Sequence, residues 1–97
     1  MQSTFDVLIM LQPKSPAAGK KLDAAVEVSA QRLSKAEGLV SKQFYRCKET
    51  GSYANIIKWR SEQDNDRYRD TNENCPIGAL IESGEIDFKY GAVNQVQ

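Results

Sequence analysis

Tyr53-Ala54-Asn55-Ile56-Ile57-Lys58-Trp59, breaking into Arg60-Ser61-Glu62-Gln63, is the stretch on which the fold turns. Read as a strand, it repeats its side chains every two residues, so Tyr53, Asn55, Ile57 and Trp59 share one face. An amide then sits beside an indole on an otherwise apolar wall. Asparagine is depleted in strands, and a buried amide without a hydrogen-bond partner is costly. Asn55 must therefore find a partner in the protein or in a ligand, and the sequence leaves both open.

Upstream, Leu39–Glu49 forms a second strand that meets the first through a glycine turn at Thr50-Gly51. Strict alternation puts Val40, Phe44 and Arg46 on one face and Leu39, Gln43, Tyr45 and Cys47 on the other. Downstream, Ser61 is a candidate N-cap for a helix over Glu62 to about Thr71, where the leading acid suits the helix dipole. That helix is polar almost throughout, with Tyr68 as its inward anchor. Arg67 and Arg69 among Asp64, Asp66 and Asp70 read as a solvated, salt-bridged face.

Further out, Phe5-Asp6-Val7-Leu8-Ile9-Met10-Leu11-Gln12 is an apolar run ended by Pro13 and Pro16, the mark of a buried strand. Leu22, Ala25, Val26, Ser29, Ala30 and Leu33 then recur at helical spacing, predicting an amphipathic helix from about Ala17 or Ala18 to Ala36. Gly38 is placed to end it in the left-handed C′ conformation. Pro76 opens a short helical turn through Ile77, Leu80 and Ile81, and Glu85–Val93 alternates like a half-buried strand.

The order β-α-β-β-α-β predicts one α+β domain over residues 1–97, a ferredoxin-like antiparallel sheet with its helices on one face. The other sheet face would carry exposed apolar side chains, which predicts a homodimer with two sheets packed face to face.

Composition narrows the function classes. The 97 residues carry 13 basic and 13 acidic side chains, a net charge of zero and a pI near 6.2. No strong field draws the protein to nucleic acid or an anionic membrane. Histidine is absent and the two cysteines, Cys47 and Cys75, lack a CxxC spacing, so no metal site and no Ser-His or Cys-His nucleophile pair is expected. The apolar run Val7–Leu11 is too short for a membrane span or secretory core, and a cytoplasmic protein with reduced thiols is the expectation.

The pattern resembles the antibiotic biosynthesis monooxygenases, a family of dimeric α+β barrels. The resemblance lies in the element order, in the junction Ala36-Glu37-Gly38-Leu39-Val40, and in Asn55–Gln63, similar to the family's strand ending in Trp before a helix start. Asparagine four residues before that Trp resembles the branch that oxidises aromatic polyketides to quinones without a cofactor. The resemblance implies Asn55 and Trp59 as catalytic residues, Tyr53, Ile57 and Tyr68 as substrate-binding residues, and a small aromatic substrate. Two companions of that branch are missing. Its tyrosine six residues beyond the Trp is Asn65 here, and no arginine occurs over Asn74–Leu80. Without histidine, the haem-degrading branch is set aside. A non-catalytic binding protein, or a cyclase or isomerase, on the same fold is the alternative.

Overall fold

A computed structural model describes residues 3–96. Its elements are β1 (Phe5–Pro13), α1 (Pro16–Leu33), β2 (Leu39–Arg46), β3 (Tyr53–Trp59), α2 (Glu62–Thr71), α3 (Pro76–Glu82) and β4 (Ile86–Val93). The strands form one antiparallel sheet in the order β2-β3-β1-β4. This is the ferredoxin-like α+β arrangement, with the second crossover divided between α2 and α3.

Period two in β1 and β3 sorts their side chains. Val7 and Leu11, with Asn55, Ile57 and Trp59, face the helices and are buried. Leu8, Met10, Ala54 and Ile56 point to the face that no helix covers. The strand face carrying Asn55 and Trp59 is thus the helix side.

The core falls into two clusters. One gathers Leu11, Leu22, Ala25, Val26, Leu80 and Ile86, joining α1 and α3 to the sheet. The other gathers Val7, Leu33, Ile57 and Trp59, with Tyr68 of α2 packed on it. Ile9 and Phe44 touch both clusters. They are also the two cross-strand neighbours of Asn55, on β1 and β2 respectively. The amide therefore sits on the seam between the two halves of the core.

Three local expectations change. Alternation in β2 fails because the register slips between Leu39 and Ser41, leaving Leu39 opposite Trp59 and Ser41 opposite Lys58. The extra residue is a β-bulge, so Leu39 joins Phe44 on the helix side while Val40 joins Tyr45 on the open side. The hairpin is also longer, with Cys47 and Ser52 closing it and Gly51 left-handed at φ 73°.

Helix α1 begins at Pro16 under a Ser15 N-cap that accepts from Ala18 N at 3.1 Å. It ends at Leu33 rather than Ala36, because the next two amides, Lys35 N and Ala36 N, donate to the carbonyls three residues back, Arg32 at 3.1 Å and Leu33 at 3.0 Å, and tighten the chain out of the α-helical pattern. Gly38 is left-handed at φ 86°, but its role lies elsewhere than at a helix C-terminus. A Cβ there would stand 2.3 Å from Cγ of Asp64, so the glycine makes room for a side chain of α2.

Candidate functional site

Asn55 is 3% exposed and Trp59 is 1% exposed. Asn55 Oδ1 and Trp59 Nε1 are buried, and neither has a hydrogen-bond partner among the described residues. Buried polar atoms are paired in the great majority of cases, and an orphan costs about 1–3 kcal/mol. One strand face thus offers an unused acceptor and an unused donor. Together they set aside a fair part of the roughly 5–15 kcal/mol by which such a domain is stable.

The remaining wall is built from α2 and β4. Tyr68 lies against Trp59 with ring centroids 5.4 Å apart and planes tilted by 40°. Burial raises its phenol above the ordinary value, with Cys75 adding to the shift. Three residues earlier on the same helix face stands Asn65, 7% exposed. Its Nδ2 donates to the hydroxyl of Tyr90 at 2.9 Å. Tyr90 is the β4 neighbour of Ile9, which is the β1 neighbour of Asn55. Trp59, Tyr68, Asn65, Tyr90, Ile9 and Asn55 thus close a ring through four elements.

Ile57 forms apolar floor beside Val7 and Leu33. Tyr53 shares the strand face, but the structure engages its polar end elsewhere. Its hydroxyl donates to Asp23 Oδ1 at 2.8 Å, and Arg46 Nε donates to the same oxygen at 3.0 Å. Arg46, then Tyr53, holds the Asp23 carboxyl below its usual range, while burial and then Asp23 raise the Tyr53 phenol. Neither Tyr53 nor Tyr68 supplies a base at neutral pH.

Asp64 corrects the reading of α2 as a solvated face. It is 2% exposed and lies over Gly38. Arg60 contributes two bonds at 3.0 Å, Arg67 Nη1 one at 2.8 Å, and the Ser61 hydroxyl one at 2.9 Å. The Arg60 bonds, then Ser61, draw its carboxyl down to about 2. Ser61 also caps α2, accepting from Asp64 N at 3.2 Å. With Arg60 N donating to the Gly38 carbonyl at 2.7 Å, this cluster fixes where α2 leaves β3, and so where Tyr68 and Asn65 stand.

Sequence reasoning missed Asn65, Tyr90 and Arg32. Arg32 reaches from α1 to Asn72 Oδ1 at 3.1 Å and the Glu73 carbonyl at 3.0 Å, bracing the α2–α3 loop. These partners lie 25 to 41 residues apart, and no local pattern announces them.

The class these features define is a ferredoxin-like α+β domain with a polar pair buried under its helices. Among solved structures, the chain is similar to SnoaB, a cofactor-independent oxygenase from Streptomyces nogalater. The TM-score is 0.79 at 14% identity, over 97% of this chain and 94% of that one. It is also similar to Rv0793 from Mycobacterium tuberculosis, with TM-score 0.76 and 17% identity over 98% and 97% of the two chains. An antibiotic biosynthesis monooxygenase gives 0.75 and 13% over 95% and 99%. No family profile and no curated protein matches the chain by sequence. At these identities the likeness is one of fold.

Proposed function

We propose that the protein is a cofactor-independent monooxygenase acting on a small phenolic or quinol-type arene, with Asn55 and Trp59 as the polar groups that contact it. The observation carrying this reading is the orphaned pair, Asn55 Oδ1 and Trp59 Nε1, on one buried face. A hydroxyarene supplies the donor that Asn55 lacks and, once ionised, the acceptor that Trp59 lacks. Ile57 and the rings of Tyr68 and Tyr53 form the surrounding wall. The fold shared with SnoaB supports the same reaction class by analogy.

The chemistry asks little of the protein. With both neighbouring phenols raised, the substrate's own acidity has to release the proton to water, as an anthrone or naphthol can. The resulting carbanion-like form gives one electron to dioxygen, and the radical pair joins in a C–O bond as a peroxide. Loss of the remaining C–H proton with cleavage of the O–O bond expels water and leaves a carbonyl. One oxygen atom enters the product, the other leaves as water, and the substrate carbon supplies all the electrons. Trp59 Nε1–H stabilises negative charge on oxygen, and Asn55 fixes orientation.

The open sheet face supports a homodimer. Met10, Val40, Tyr45 and Val93 are exposed there, around Leu8 and Ile56. Two such faces packed about 10 Å apart would cover them.

Oxygen uptake with anthrone as substrate tests the function. Turnover above the non-enzymatic rate, lost in Asn55→Ala, is expected; equal rates with and without protein would reject catalysis. Asn65 in place of a tyrosine favours a second reading, a binding protein without turnover. Thermal stabilisation by arenes with no oxygen uptake would select it.

A further inference from the structure

We propose that the cleft between the start of α1 and the β2–β3 turn is a binding site for a small organic dianion, with Lys20, Lys48 and Arg46 as its cationic contacts. Neither Asn55 nor Trp59 borders it, and it stands whatever happens at that pair.

The cleft measures about 450 Å3 and is walled by the end of β1 at Pro13 and Lys14, the first turns of α1, and the turn 48–51. Gly19 and Gly51 flank one proline ring, an added Cβ lying 3.8 and 3.7 Å from Pro13 Cγ. Neither contributes a side chain to the volume it borders. The turn is braced from within. Cys47 N donates to the Ser52 carbonyl at 2.8 Å, Gly51 N to the Cys47 carbonyl at 2.9 Å, and Ser52 N to Thr50 Oγ1 at 3.2 Å. The walls are therefore set without a ligand, which lowers the ordering cost of binding one.

Charge is segregated here. The chain balances 13 basic against 13 acidic side chains, yet four cations, Lys14, Lys20, Arg46 and Lys48, border the cleft against two acids, Asp23 and Glu49. The acids are already engaged. Asp23 takes Arg46 Nε at 3.0 Å and Nη2 at 3.4 Å, together with the Tyr53 hydroxyl at 2.8 Å. Glu49 Oε2 accepts from the Cys47 thiol at 3.3 Å, and Lys14 turns to Asp87 at 3.4 Å. Lys20 and Lys48 have no carboxylate within ion-pair distance among the described residues.

Two ammonium groups left over at one cleft suit a ligand with two negative charges, a phosphate monoester or a dicarboxylate. Arg46 adds an oriented donor. With Nε and Nη2 on Asp23, its Nη1 is left to the ligand. Arg46 and then Tyr53 hold the Asp23 carboxyl below its usual range, so it stays ionised and keeps the guanidinium in place. The terminus of α1 adds little, since Ser15 Oγ already takes the Ala18 amide and Pro16 has no N–H. The rings of Pro13 and Pro16 give the organic body of the ligand an apolar seat.

Isothermal titration calorimetry at low ionic strength and mildly alkaline pH tests this with phenyl phosphate and phthalate, both doubly charged, and with neutral benzyl alcohol. Tighter binding of phenyl phosphate assigns a phosphate monoester, and tighter binding of phthalate a dicarboxylate. Lys20→Gln and Lys48→Gln are each expected to weaken the dianion about two- to fivefold, the worth of one exposed charge pair. Lys35→Gln removes a charge beyond the far end of α1 and is expected to change nothing. An equal loss in Lys35→Gln, or benzyl alcohol binding as well as the dianions, overturns the proposal. Unchanged affinity in both cleft variants overturns it too, as does an absence of heat with either dianion up to about 10 mM. Asn55→Leu, expected to lose the quenching of Trp59, the sole tryptophan, by 1-naphthol, is expected to keep full dianion affinity. Loss there would put the dianion at the orphaned pair and overturn the cleft.

Discussion

Replacing Asn55 by leucine is expected to make the protein more stable and functionally inert. The side chain is buried at the seam between the two core clusters, flanked by Ile9 and Phe44, and its Oδ1 has no partner among the described residues. Leucine has a similar reach, suits a strand better and removes the orphaned acceptor. Relief of about 1–3 kcal/mol follows from the unsatisfied amide alone. In a domain of this size each kcal/mol moves the midpoint by about 4–8 °C, so Tm rises by at least about 4 °C. Circular dichroism melts at equal protein concentration measure it, concentration being held because self-association would shift Tm. Oxygen uptake and quenching by 1-naphthol, followed in parallel, are expected to disappear. A variant that melts lower, or one that melts higher yet still turns over, would refute the reasoning. The first result means that the amide is paired in solution, and the second that its polar atom is not used.

Other outcomes probe the frame around the site. Gly38→Ala is expected to destabilise by more than the roughly 1–2 kcal/mol of left-handed strain, because its Cβ would meet Asp64 at 2.3 Å. Gly84→Ala, at φ 77° with nothing within 4 Å of the new Cβ, bears the strain alone, and thermal melts compare the two. The Asp64 carboxyl is held below its ordinary 3.8, at about 2, so its stabilisation is complete above about pH 4 and lost as pH falls through 2. Asp64→Asn is expected to lower Tm at neutral pH and to flatten its decline over pH 4 to 2; a wild-type slope in the variant would contradict this. Leu8→Lys, at the centre of the open sheet face, is expected to give monomers in sedimentation velocity at micromolar concentration, leaving near-ultraviolet dichroism of Trp59 unchanged.

The fold was legible wherever a single period governed a segment. The apolar run of β1, the shared face of β3, the helical stripe of α1 and the Ser61 cap of α2 all stand in the sequence and in the structure. The face shared by Asn55 and Trp59 was legible too, since period two requires it. Legibility ended where one residue breaks the period or where two distant residues meet. The bulge at Leu39-Val40 leaves no trace, because either apolar neighbour could face inward. Gly38 was noticed for its freedom, but its reason lies 26 positions on, in Asp64. Asp64 itself looked like its neighbours Asp66 and Asp70, and only the convergence of Arg60, Arg67 and Ser61 makes its burial tolerable. Asn65 and Tyr90 carry no pattern until α2 is laid beside β4.

The way α2 is fastened has a consequence for exchange with solvent. Its two buried residues, Asp64 and Asn65, are polar, and its apolar anchorage is the half-buried ring of Tyr68 on Trp59. Helix α1, by contrast, buries Leu22, Ala25, Val26 and Leu33. Apolar burial makes opening costly, so α2 is expected to open at lower free energy than α1. Its amides are expected to lose protection against deuterium before those of α1, and sooner as added salt screens the guanidinium–carboxylate pairs. Opening of this kind carries Tyr68 and Asn65 away from Trp59 and Tyr90 together. If the site binds an arene as proposed, its passage would be tied to a local unfolding equilibrium, and its rate would depend on ionic strength even though the arene is uncharged.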